Sequence, residues 1–151
     1  MFYTLKVEWD DGDKSIIIGN EENTKDAENS VINKVIIHMD TIDDDTNTKS
    51  GQMLARVQIE GKIPKDQKLK KIYEKLADFF AWSIDNNSTT YRKVTIKVKN
   101  NDGEKLREYV FENLFVRDYQ ENYDSTTNDK DGIFKIDLTQ RENELHTINV
   151  L

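Results

Sequence analysis

Apolar residues recur at helical spacing in one stretch of this chain, residues 66–84, where Leu69, Ile72, Tyr73, Leu76, Phe79, Phe80 and Ile84 fall three and four apart. Its other apolar runs alternate with polar residues or are β-branched, as strands are. A lone amphipathic helix has no second helix to cover it, so its stripe must pack across an open barrel end or against a sheet face. This predicts a mainly β fold, an antiparallel β-barrel or closely packed sheets with one amphipathic helix, in a single domain spanning 1–151. Asp66 is placed to cap the helix, and Asp85-Asn86-Asn87-Ser88 to end it.

The strands follow from alternation and turn chemistry. Tyr3, Leu5, Val7 and Trp9 share one face, and Asp10-Asp11-Gly12-Asp13 turns the chain back into residues 14–18 as a hairpin. A polar stretch, 19–30, leads to a β-branched run over 31–39. A second, 40–51, projects as a loop before a strand over 53–63, in which Met53, Ala55, Val57, Ile59 and Gly61 share a side. Beyond the helix, strands are expected at 91–99, 105–111, 113–123 and 133–140, with a short one in the tail 145–151. The turn Asn100-Asn101-Asp102-Gly103 marks a hairpin, and 124–132 is a polar turn.

Composition excludes several classes of function. With 22 Lys and Arg against 29 Asp and Glu, the net charge is −7, and the lysines are interleaved with acids. Nucleic-acid backbones and anionic membranes favour a concentrated basic face, so neither is expected as the main partner. The absence of Cys rules out disulfides, thiolate zinc sites and a cysteine nucleophile. No run reaches the length of a membrane span, and the first residues alternate like a strand; the expectation is synthesis in the cytoplasm without a signal peptide.

Candidate chemistry is sparse. Asp43-Asp44-Asp45 with Asn47 offers hard oxygen donors, but lacks the alternating ligands, central Gly and distal Glu of a calcium loop, and reads as a solvated acidic tip. Asp124, Asn128, Asp129 and Asp131 suit a turn equally well. His38 and His146 are far apart in sequence and outside any zinc spacing. Glu108, Glu112, Asp118 and Glu121 could supply a carboxylate pair only if the fold brought two together. No cofactor, metal site or catalytic residue is expected. Among the aromatics, mostly core by their spacing, Trp82, Tyr119 and Tyr123 are the candidates for a protein–protein surface.

The order of elements carries a resemblance. A strand ending Gly61-Lys62-Ile63-Pro64, one helix, then Tyr91 to Val98, a turn, Leu106 to Val116, and a final Ile133 to Leu138 together resemble the tail-tube superfamily of contractile phage tails, phage-like bacteriocins and type VI secretion, which includes the haemolysin-coregulated tube protein. The similarity covers about residues 53–140. It implies a non-enzymatic subunit of a contractile injection apparatus that forms or initiates the inner tube, as a homo-oligomeric ring of six copies whose sheets line a lumen. Other tail, sheath or baseplate proteins would be its partners, within a phage-tail-like particle. The implied assembly contacts are Asp43, Asp44, Asp45 and Asn47 in loop 40–52, together with Trp82, Tyr119 and Tyr123. Loop 124–132 would lie near a ring edge, and acidic charge on the lumen wall would repel DNA. The reading weighed against this one is a small β-rich calcium- or carbohydrate-binding module, followed by a hydrolase using Asp and Glu.

Overall fold

In the computed structural model, which describes residues 1–41, 53–65, 69–126, 130–140 and 148–151, eight strands and one α-helix follow in chain order. They are β1 (Phe2–Trp9), β2 (Lys14–Ile18), β3 (Ile32–Thr41), β4 (Met53–Ile63), α1 (Lys70–Ile84), β5 (Arg92–Lys99), β6 (Lys105–Asn122), β7 (Gly132–Gln140) and β8 (Asn149–Val150). All pairings are antiparallel, in the order β2-β1-β5-β6-β7-β4-β3, and β8 adds to β6. The mainly antiparallel fold with one helix is as expected. The sheet is open, however: it curls until β3 returns beside β1, but β2 and β3 remain the ends of its hydrogen-bonded path.

The curl originates in β6. Sequence predicts two strands, 105–111 and 113–123; the structure has one, whose first half pairs with β5 and whose second half pairs with β7, with Leu114 opposite both Arg92 and Gln140. Between the halves the register slips, and Asn113 takes φ 56°. A second slip follows between Val116 and Asp118. Bulges of this kind bend a strand and sharpen its twist, here turning one long strand into the corner shared by two sheet halves.

One face of the curled sheet is core. Leu5 and Val7, Ile16 and Ile18, Ala55, Val57 and Ile59, Val94 and Ile96, Phe111 and Leu114, and Phe134, Ile136 and Leu138 are all buried in one cluster, as the alternation requires. Gly61 belongs to that face because a Cβ there would sit 2.5 Å from the Phe134 ring and 2.6 Å from the Val31 carbonyl oxygen. The first hairpin forms as expected, with Leu5 opposite Ile18 and Trp9 opposite Lys14.

Helix α1 packs against β6 and β2. It begins at Lys70, with Leu69 at the N-cap and no side-chain cap, whereas Asp66, the expected cap, lies outside the described residues. The buried stripe is Ile72, Leu76, Phe79 and Trp82; Tyr73, Phe80 and Ile84 are exposed. The sequence holds two adjoining apolar stripes, and the sheet covers the one that brings in Trp82.

Candidate functional site

On the side of the sheet away from the core, alternation places a field of charged residues that pair with one another. Glu8 lies opposite Lys93, Lys97 opposite Glu108 and Glu60 opposite Lys135. Ion pairs join Lys97 to Glu108 at 3.6 Å, Lys93 to Glu112 at 3.8 Å, Lys135 to Glu60 at 3.9 Å, Lys6 to Glu8 at 3.2 Å and Arg56 to Asp137 at 3.4 Å. The pair with both side chains well exposed, Lys93 with Glu112, contributes little to stability. Together the five pairs leave the face compensated in charge.

The polar stretch 19–30 is ordered by its own Asx residues. Asn29, 4 % exposed, accepts from the amide of Asn20 at 2.6 Å and donates to the carbonyl of Asn23 at 3.0 Å. Asn20 in turn accepts from the amides of Glu22 and Asn23, and Asp26 caps a short 3-10 turn over Ala27–Ser30 through the amide of Glu28. Side-chain mimicry of backbone turns here replaces an apolar core. Two ion pairs anchor the loop, Lys75 of α1 to Glu28, and Lys97 of β5 to Glu21 at 2.6 Å. The hydrogen bond in the second pair draws the Glu21 carboxyl below its ordinary range and raises the Lys97 ammonium above its own.

Beside α1, the second half of β6 presents an aromatic seam. The ring of Phe80 meets Tyr119 edge-on, 6.4 Å between centroids. Glu121 accepts two phenol hydroxyls, from Tyr119 at 2.6 Å and Tyr123 at 3.0 Å, while Tyr73 donates to the Pro64 carbonyl at 2.7 Å. Burial, and then the bond to Glu121, pushes the Tyr119 and Tyr123 phenols above their ordinary range. Both remain neutral donors at physiological pH.

The predicted site residues separate. Trp82 is not a surface residue: it is 1 % exposed, and its indole Nε1 donates to the Thr90 carbonyl at 2.7 Å. Tyr119 is half-buried and Tyr123 is exposed, so those two share the seam. Asp43, Asp44, Asp45 and Asn47 lie outside the described residues, as do Asn128, Asp129 and His146. Asp124 accepts from Thr126 within its own turn, Asp131 accepts from the amide of Lys65, and His38 is exposed opposite Arg56. Glu108, Glu112 and Glu121 each serve different partners, and Asp118 lies across from Asp137. Among the described residues, no three His, Asp or Glu side chains are grouped to hold a metal, and no helix is long and apolar enough to cross a membrane.

Sequence reasoning missed Arg92. Its side chain is 7 % exposed, and the guanidinium lies 3.9 Å from the centroid of the Trp9 ring and 5.0 Å from that of Trp82, donates through Nε to the Thr89 carbonyl at 2.9 Å and faces Asp85 at 3.7 Å. The signal was its phase: Arg92 shares the inward face with Val94 and Ile96.

No protein-family model matches the chain, and no curated protein sequence matches it. Solved structures do. Hcp1 from Flavobacterium johnsoniae superposes with a TM-score of 0.56 at 14% identity, covering 99% of this chain and 94% of that one. Hcp1 from Salmonella typhimurium gives 0.54 at 7% identity, over 91% and 81%. The sheath/tube terminator of the PVC extracellular contractile injection system in its extended state gives 0.50 at 17%, over 99% and 93%. With its curled antiparallel sheet, single flanking helix and near-complete coverage in both directions, the chain has the Hcp and tail-tube fold.

Proposed function

We propose that this chain is a non-catalytic structural subunit of a contractile phage-tail-like or injection apparatus, forming or initiating its inner tube as a ring of six copies. The observation that carries the reading is an open sheet with a charge-compensated face and two ends, β2 and β3, that no strand pairs with among the described residues. β3 is ten residues long, without proline, and rich in Val and Ile. A free edge of that kind is an aggregation hazard in a monomer and a joint in an assembly. The likeness to Hcp structures supports the same reading.

In the ring, the compensated face lines the lumen, where paired charges offer a passing cargo neither strong attraction nor strong repulsion. Loop 40–52, with Asp43, Asp44, Asp45 and Asn47, reaches a neighbouring subunit or ring, and sheath or baseplate proteins cover the outside. Light scattering after size separation, with negative-stain microscopy across a concentration series, tests this. Six-fold rings or tubes are the expected result; a protein monomeric to about 1 mM, a weak affinity by any standard, overturns it.

A further inference from the structure

The two ends of β6 differ in a complementary way. At its start, Leu106 is 53% exposed, and beside it the exposed guanidinium of Arg107 lies 5.8 Å from the centroid of the Tyr109 ring. Val150 of β8, opposite Tyr109, extends this apolar ground. Among the described residues, Arg107 pairs with no carboxylate, although neighbouring Lys97 and Lys105 both bind Glu108. At the far end lies the seam: Tyr123 is 62% and Phe80 55% exposed, Phe80 meets Tyr119, and the Glu121 carboxylate is held by the Tyr119 and Tyr123 phenols and by no cation among the described residues. Fourteen positions, the bend at Asn113 and a second register slip separate Arg107 from Glu121 along β6, and the two lie on halves of the strand that pair with different neighbours, β5 and β7.

We propose that copies of this chain meet head to tail through these surfaces, the Leu106–Arg107 end of β6 in one copy seating on the Tyr123–Glu121–Phe80 seam of the next. Three features favour a second copy as the occupant. Among the described residues each surface carries a charge without an ionic partner, the two charges are opposite in sign, and exposed apolar side chains occur at each end. Arg107 already lies against one tyrosine; at the joint its planar guanidinium stacks on Tyr123 and reaches Glu121, an arrangement lysine would not reproduce. Because the surfaces differ, the contact is heterologous, and copies joined by it form a ring where the rotation closes or a stack where it does not. The inference rests on the ring-forming reading and names the side chains that join its copies.

A charge-exchange cycle tests it. Arg107→Glu and Glu121→Lys are each expected to raise the concentration needed for half-assembly about tenfold or more, and the double variant to recover to within about threefold of wild type, as coupling across a close interfacial pair requires. Since Glu121→Lys also removes two phenol bonds, Tyr123→Ser serves as a second probe, and thermal melts confirm that each variant is folded. Single variants that assemble like wild type, or a double variant no better than the singles, overturn this contact and leave the ring reading standing. A wild type that stays monomeric overturns both.

Discussion

The guanidinium of Arg92, stacked against Trp9 and close to Trp82, links the start of β5 to β1 and to the segment after α1 through Thr89 and Asp85. Burial draws its pKa down, opposed by the nearby charge of Asp85, but an arginine starts so far above neutrality that it stays charged. Removing it strips two indoles of a planar partner and leaves the Asp85 carboxylate without its cation. Arg92→Leu is expected to cost about 3 kcal/mol in urea unfolding, the range seen when one member of a buried pair is lost. Arg92→Lys should recover less than half, since an ammonium neither stacks nor forks. A leucine variant within about 0.5 kcal/mol of wild type, the scale of an ordinary surface change, would remove Arg92 from this role. Asp85 adds a pH dependence. The hydroxyl of Thr89, then the amide of Asn87, holds its carboxyl below the ordinary range. A depressed carboxyl contributes fully above its unfolded pKa, about 4, and loses that contribution as pH falls through its lower folded value. Thr89→Val should therefore be less stable than wild type at pH 7, and the gap should narrow as pH drops below about 4. A gap of constant size in acid-range melts would exclude the linkage.

At the scale of elements, the bend in β6 is the feature that turns seven strands in series into a curl around one core. Asn113 holds it with φ 56°, a conformation that costs most L residues about 1–2 kcal/mol but that asparagine tolerates. Asn113→Val is expected to lose about that much stability while Asn113→Gly stays close to wild type, read by denaturant midpoint at constant m. Equal stability of the two variants would mean that the bend does not depend on this residue. The same bend explains what the sequence concealed. Alternation through Val94 and Ile96, or through Phe134, Ile136 and Leu138, is local and legible, and the first hairpin formed as its Asp-Gly turn indicated. A bulge breaks the phase of alternation, so β6 reads as two strands when it is one. For α1 the ambiguity was rotational: two apolar stripes lie side by side, and only the position of the sheet decides that Trp82 goes in while Phe80 stays out. The Asx framework of 19–30 was invisible because it depends on hydrogen bonds among polar residues, which no apolar period records.

Across the whole molecule, charge and hydrogen-bonding capacity are unevenly distributed. By sequence, segments 42–52, 66–68, 127–129 and 141–147 carry seven acids against three bases, which is four of the seven net negative charges. The sheet face is instead compensated pair by pair. A net charge of −7 therefore does not describe the sheet face. Hydrogen-bonding capacity remains at the sheet's ends. Among the described residues, strands β1, β5, β6, β7 and β4 have neighbours on both sides, while β2 and β3 each have one. In a monomer, amides pointing away from the sheet on β2 and β3 exchange at rates set by solvent, and those of β5 exchange only when the sheet opens. If copies join edge to edge, raising the concentration through assembly should slow exchange over Lys14–Ile18 and Ile32–Thr41 by about tenfold or more while leaving β5 unchanged, because one added ladder replaces water at these groups alone. Hydrogen exchange read by mass spectrometry on either side of the assembly midpoint resolves the two edges by peptide. Protection confined to α1 and the ends of β6 would show copies held by side chains alone, with the edges left open; protection at β2 and β3 as well would make the ring a continuous sheet.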